Sequence, residues 1–412
     1  VYENVETLIV GAGLAGLACA GTLQRAGVEC AVVEAADGPG GRVRTDVVDG
    51  YRLDRGFQIL LTAYPELERH LDLEALDLCA FRPGAQVQLS DRRVTVGDPI
   101  RRPRDLLTSA LAPVGSVNDK LRLARLLLEL RAGDGRDAAR TTDSTVAARL
   151  AALGFSEGII DRFFRPLIGG IQLDPELQGS ARLFSLVLRM LARGDAAVPA
   201  LGMGAIPAQL AARLDPATLR FGEAVDHVQG TNAHLAGGSV IRATNLVVAT
   251  DGPTAARLLD LPVPGSRAAA CIWFTMPSPP VAEPILVLDG TGGPGPVRNV
   301  APMSVVAPRY APDGRHVVAA AIPGPDALGA DLVAMTRRQL SAWFGPVAHE
   351  WDVARVDVIR HAQPDQPPPL TLRSPIGLGD GRYVCGDHRD TASIQGALVS
   401  GRRTAEAILS RR

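Results

Sequence analysis

Thr7-Leu8-Ile9-Val10-Gly11-Ala12-Gly13-Leu14-Ala15-Gly16 is the stretch on which the fold turns. Its first four residues are apolar and mostly β-branched, as a strand buried on both faces requires. Leu14, Leu17, Ala18 and Leu23 then recur at helical spacing until Gly27 supplies a stop. A second apolar run, Cys30 to Val33, ends at Glu34. Strand, glycine turn, helix, strand and acid within about 30 residues make a parallel βαβ unit and place the chain in the α/β class. The three glycines serve different ends. Gly11 permits the tight turn, Gly13 lets backbone approach a pyrophosphate, and Gly16 lets the helix pack on the strand. The helix N-terminus then offers unpaired N–H groups to phosphate. Glu34 can bind both hydroxyls of an adenosine ribose and repels a 2′-phosphate. The pattern marks a dinucleotide site without separating NAD from FAD.

The flanking sequence does separate them. Gly38-Pro39-Gly40-Gly41-Arg42-Val43-Arg44-Thr45 follows Glu34 directly, and Asp54-Arg55-Gly56-Phe57-Gln58 comes soon after. An arginine on a second glycine turn can reach the far side of the same pyrophosphate. Near the other end, Arg382-Tyr383-Val384-Cys385-Gly386-Asp387 reads as a strand leading into a turn. A helix is predicted over 393–409, N-capped by Ser393, with Ile394, Ala397, Leu398, Ala405 and Ile408 on its buried face. Ser393-Ile394-Gln395-Gly396-Ala397 with Ser400-Gly401 matches S-x-x-G-A-x-x-S-G.

On these motifs the chain resembles the flavin-dependent amine oxidase superfamily. Phe163-Phe164-Arg165-Pro166-Leu167-Ile168-Gly169-Gly170 and Pro199-Ala200-Leu201-Gly202-Met203-Gly204 resemble segments of its phytoene desaturase and protoporphyrinogen oxidase-like branch. The resemblance implies FAD as cofactor. It implies FAD contacts at Gly11, Ala12, Gly13, Ala15 and Gly16, at Glu34 and Ala35, and at Gly40, Gly41 and Arg42. It adds Gly56, Phe57 and Gln58 from the third motif, and Val225 and Ala249 around the adenosine. Gly386 and Asp387 would meet the ribityl-phosphate region, with Ser393, Ile394 and Ala397 at the isoalloxazine. The fold implied is a discontinuous Rossmann-like FAD-binding domain (1–72, 196–260 and 375–412) with a second, α+β substrate domain (73–195 and 261–374). Strands are expected over 221–228 and 240–249 around the Gly237-Gly238 turn.

The substrate region departs from classical amine oxidases, which typically place a lysine opposite flavin N5 and two aromatic rings beside the amine. Lys120 is the only lysine among 43 basic residues, and it lies in a helical segment followed by leucines. Thr391 and Ala392 stand where an aromatic is expected, and aromatic content is only 4%, so amine oxidation is disfavoured. In this segment Leu121, Ala124, Leu127, Leu128 and Leu130 form a broad apolar face, read as a core-packing helix, with peripheral membrane contact left open. Phe163 to Gly170 is a candidate cavity wall. His388 and Arg389, next to Gly386-Asp387, and Arg165 are the weak candidates for a catalytic side chain. The seven histidines show no metal-ligand spacing.

Composition excludes several classes. A chain of 412 residues with 46% hydrophobic and 21% charged residues is long enough for two or three domains and too apolar for disorder. A net charge of −1 gives no field for nucleic acid. The charge-free window 196–212 is interrupted by Pro199 and Pro207 and falls short of the about 20 apolar residues a spanning helix needs. Five scattered cysteines without a C-x-x-C pair suggest reduced thiols, and a strand-like N-terminus leaves no room for a signal peptide, so a cytoplasmic location is expected. The resulting expectation is an FAD-dependent oxidoreductase. It removes hydride from a largely apolar substrate, a polyene or reduced ring system, and passes electrons to oxygen or a quinone. The alternatives are an isomerase using FAD without net redox change, and a flavin-binding protein without catalysis.

Overall fold

The computed structural model describes residues 2–98, 101–133 and 142–411. Strand β1 (Tyr2–Val10) leads into helix α1 (Leu14–Arg25) and strand β2 (Cys30–Glu34). β1 lies parallel to β2 on one side and to the Val240–Val248 strand on the other, with Leu8 opposite Leu246 and Ile9 opposite Val247. Leu219–Phe221 extends the sheet parallel to β2, and Arg382–Val384 extends it parallel to Val240–Val248. Eight strands result, the remainder coming from an antiparallel hairpin and a short C-terminal strand. Both faces are covered, which explains why β1 and β2 read as continuous apolar runs. Leu17 and Leu23 of α1 and Leu398 and Ile408 of the C-terminal helix Ile394–Leu409 pack in the core on one face. Leu8, Val10, Val33 and Val248 pack against Leu258 and Leu259 on the other.

A second sheet has seven strands in the order Asp352–Pro364, Ser266–Met276, His316–Pro323, Asn299–Ala301, Val287–Asp289, Gly84–Gln88 and Arg93–Gly97. Its pairs are antiparallel except that between Val287–Asp289 and Gly84–Gln88. Ile272, Phe274 and Trp343 lie in the core on one of its faces. Segment 73–195, which the sequence suggests is helical, thus also supplies two strands to a sheet completed by residues beyond 261.

Two further expectations are corrected. The strand predicted over 221–228 is divided: Leu219–Phe221 stays in the parallel sheet, while Val225–Gln229 pairs back on Asn232–Leu235 as a hairpin. Between them, Gly222 N donates to Ala36 O and Glu223 N to Glu34 O, so the backbone leaves the ladder there. Helices α2 (Leu67–His70) and α3 (Leu106–Leu111) are short, and the second correction concerns the longer α4 (Val117–Ala132). Helix α4 begins with a capping box between Ser116 and Asp119. Burial opposes ionisation of Asp119, yet hydrogen bonds from Ser156 and Ser116 hold its carboxyl down at about 2. Of α4 only Asp119 and Leu126 are buried, whereas Leu121 and Leu128 are more than half exposed. The apolar face read as core-packing is thus divided: Leu130 packs against the core beside Leu126, Ala124 and Leu127 are half-buried, and Leu121 and Leu128 are uncovered. Among the described residues, no helix is long and apolar enough to cross a membrane.

Candidate cofactor and substrate site

A cavity of about 840 Å³ runs from the first glycine turn to the leucine-rich segment around α3 and α4. At the first end, Gly11, Gly13 and Ala15 line it together with Glu34 and Ala35 at the end of β2. Helix α1 has Gly13 as an extended N-cap, no side-chain cap and no acidic residue in its first turn. Its leading N–H groups therefore have no side-chain partner, the arrangement that binds anions. A β-carbon at Gly13 would meet nothing within 4 Å, whereas one at Gly16 would lie 2.0 Å from Gly11 O. The first glycine faces open space and the second is a packing requirement. Glu34 is fixed by its own turn: Oε2 accepts from Ala12 N at 2.8 Å and Oε1 from Ala36 N at 2.9 Å.

The second glycine turn folds onto the first. Gly40 N donates to Ala12 O at 2.8 Å, and Gly40, Gly41 and Arg42 all line the cavity. Arg42 donates from Nη2 to Asp387 Oδ1 and from Nη1 to Ala362 O, both at 2.7 Å. Burial works against the guanidinium charge, but the Asp387 carboxylate beside it more than restores it. Gly56, Phe57 and Gln58 continue the wall, and Gln58 Nε2 donates to Arg42 O at 2.7 Å. Ala249, at the end of the strand parallel to β1, completes this end with Gly386 and Asp387. Ser393 caps the C-terminal helix by accepting from Gly396 N at 3.1 Å, and Ser393, Ile394 and Ala397 also line the cavity.

The other sequence-predicted residues lie off the wall. Ala12 and Gly16 are buried behind the turn, and Val225 pairs with Leu235 in the hairpin. His388 packs behind Gly386, against Gly252, and burial pushes its imidazole down to about 4. It is neutral at pH 7. Burial likewise lowers Arg389. Arg165 points elsewhere, pairing with Asp161 at 3.1 Å and donating to Pro175 O at 2.6 Å. Its neighbours Phe163, Leu167 and Gly170 do line the cavity.

The far end is predominantly leucine, with Leu106, Leu121, Leu127, Leu183, Leu188 and Leu191 on its walls. Sequence reasoning missed several residues that line the cavity, among them Tyr64, Phe81, Arg82, Arg101, Ala270 and Asn299. No motif marks them, because they converge from separate strands and helices. Lys120 also lines this end, where its ammonium donates to Ala110 O at 2.6 Å and Ala112 O at 2.5 Å. The lone lysine was a usable signal. Arg82 pairs with Asp105 and Glu283, and Arg101 with Asp195. Those carboxylates are already engaged.

Residues 14–409 match the flavin containing amine oxidoreductase family. The chain belongs to that family. This flavin-containing oxidoreductase accordingly uses FAD. Its fold is shared with a protoporphyrinogen oxidase-like protein from Exiguobacterium sp. 255-15, at 17% identity and a TM-score of 0.71 over 100% of this chain and 99% of that one. Putrescine oxidase bound to putrescine aligns over the whole of both chains at 18% identity and a TM-score of 0.72. Reduced UDP-galactopyranose mutase aligns over 99% of this chain and 96% of its own, at 15% identity and a TM-score of 0.67. At these identities the likeness is one of fold, and the flavoenzyme's substrate has to be argued from its own cavity.

Proposed function

We propose that the chain oxidises or desaturates a largely apolar small molecule, with FAD held by the two glycine turns and the C-terminal helix. The residues fit that group. The uncapped N-terminus of α1 and the open space at Gly13 suit a pyrophosphate, and Glu34 lies where a ribose would follow. Ser393, Ile394 and Ala397 bring a second helix N-terminus to the same cavity, favouring negative charge on whatever it faces. Arg42 acts mainly through Asp387, fixing the Gly386 turn against the Gly41 turn. Bound there, FAD supplies a hydride acceptor.

The observation that carries the substrate class is the far half of the cavity. Its leucine walls offer an apolar surface that orients an apolar molecule by shape. At this end Asp105, Glu283 and Asp195 are held by Arg82 and Arg101, Asp98 accepts from Arg101 N, and the ammonium of Lys120 repels a cationic amine. Amine oxidation therefore stays disfavoured. The leucine-lined end, which extends beyond the residues assigned to FAD, also argues against a flavin-binding protein with no room for a substrate. Electrons would leave to oxygen or a quinone.

Purified protein is expected to show the oxidised-flavin spectrum, and anaerobic addition of a polyene or partly reduced ring compound to bleach it. Colourless protein that takes up no FAD would refute the site. Conversion only after prior reduction of the flavin would replace oxidation by isomerisation.

A further inference from the structure

Nine large apolar side chains among the described residues are more than half exposed, and six of them lie within 106–128: Leu106, Leu107, Leu111, Val117, Leu121 and Leu128. They occupy α3 and α4, joined by five residues. Leu106, Val117 and Leu121 are at once exposed and part of the cavity wall, so the cavity opens between these two helices. Val117, Leu121, Ala124 and Leu128 follow at helical spacing and form one stripe down α4. A concentration of exposed apolar side chains of this kind marks an interaction surface.

The charge of this segment is predominantly basic, although Asp98 also lines the cavity and Asp195 pairs with Arg101. Residues 101–131 carry seven basic side chains (Arg101, Arg102, Arg104, Lys120, Arg122, Arg125 and Arg131) against three acidic ones, a net +4 in a chain whose total is −1. Two of the acids, Asp105 and Asp119, are buried, and the third, Glu129, pairs with Arg125. Exposed leucines bordered by basic groups are what an interfacial helix needs to enter a headgroup layer.

We propose that the α3–α4 face docks on an anionic lipid bilayer, so that the cavity opens into the apolar region of the membrane. A second copy of the chain fits less well, because it would bring two faces of the same charge together. The proposal takes its purpose from the apolar-substrate reading, since such a molecule partitions into the bilayer, but its measurement needs no substrate.

Flavin-loaded full-length protein is sedimented with vesicles of phosphatidylcholine and phosphatidylglycerol in equal parts, and with phosphatidylcholine alone. Binding is expected roughly tenfold stronger to the anionic vesicles and weaker at raised salt. Leu107 and Leu111 are exposed and do not line the cavity, so Leu107→Glu with Leu111→Glu tests the face without touching the site. The double variant should keep its flavin spectrum and melting temperature and lose vesicle binding. Absence of binding by the parent protein overturns the proposal, as does undiminished binding by the variant. Self-association that the variant abolishes, without vesicle binding, assigns the face to a second copy instead. Protein that docks yet oxidises no apolar substrate would refute the proposed reaction and leave the docking intact.

Discussion

Arg42 and Asp387 stand 345 residues apart in the chain and meet at 2.7 Å on the cavity wall. One belongs to the glycine turn after β2, the other to the turn that precedes the C-terminal helix. Their contact joins the N-terminal and C-terminal halves of the site, and Arg42 Nη1 extends the connection to Ala362 O in the second sheet. The sequence suggests two separate ligand contacts at these residues. Their pairing makes each the other's support, so the site's shape is set largely by protein contacts before any ligand enters.

Arg42→Ala should therefore cost stability as well as cofactor. It leaves the buried Asp387 carboxylate without its partner, a loss of about 2 kcal/mol for a charge-assisted hydrogen bond of this kind. Asp387→Asn keeps an acceptor for Nη2 and should cost less. Melting temperature and flavin retained after gel filtration report the two effects. Wild-type values for both variants would show that the pair positions nothing.

Glu34 makes a narrower prediction. Both carboxylate oxygens accept from backbone N–H groups, at Ala12 and Ala36. Glu34→Gln turns an amide NH₂ toward one of those donors, which loosens the first glycine turn itself. Flavin retention should fall roughly tenfold or more, the size of one charge-assisted hydrogen bond. Titration of the apo-protein with FAD gives the number directly.

What could be read in advance follows from how local each requirement is. The β1–α1–β2 unit was legible because Gly16 and Glu34 answer to neighbours inside that same unit, Gly16 to Gly11 and Glu34 to Ala12 and Ala36. The C-terminal helix was legible because Ser393 caps it within three residues. The second sheet was not, since Val287–Asp289 finds its partner in Gly84–Gln88, about two hundred positions earlier, and nothing in either segment names the other. Periodicity in α4 correctly indicated an apolar face, but periodicity does not say whether anything covers it. Lys120 was visible as a singular residue, while its place on the cavity wall depends on where α3 ends.

Asp54 supplies a pH prediction. It is fully buried, and burial pushes its carboxyl up to about 6 despite hydrogen bonds from Thr45, Tyr310 and Met203 N. In the unfolded chain an aspartate titrates near 3.9. The folded state thus holds this proton more tightly, and the stabilisation is complete below about pH 4 and lost as pH rises through about 6. Measured against Asp54→Asn, which cannot titrate, the natural protein should lose about 2–3 kcal/mol across that window and then level off. Denaturant unfolding of both proteins at a series of pH values checks the slope, and parallel curves would mean that Asp54 does not titrate there.

Two glycines should fail in opposite ways. A β-carbon at Gly401 would sit 2.1 Å from Ala15 O, so the C-terminal helix cannot stay against α1 without moving. Gly401→Ala should cost about 1–3 kcal/mol, as overpacking does, and lower the melting temperature with or without flavin. At Gly13 the same methyl meets no protein atom within 4 Å, and the residue already has φ −72°, which alanine adopts without strain. Gly13→Ala should therefore leave the apo-protein's melting temperature unchanged while weakening FAD binding, because the methyl occupies the space assigned to the pyrophosphate. If Gly13→Ala binds FAD as the parent does, the phosphate cannot lie at that turn, whatever happens at Gly401.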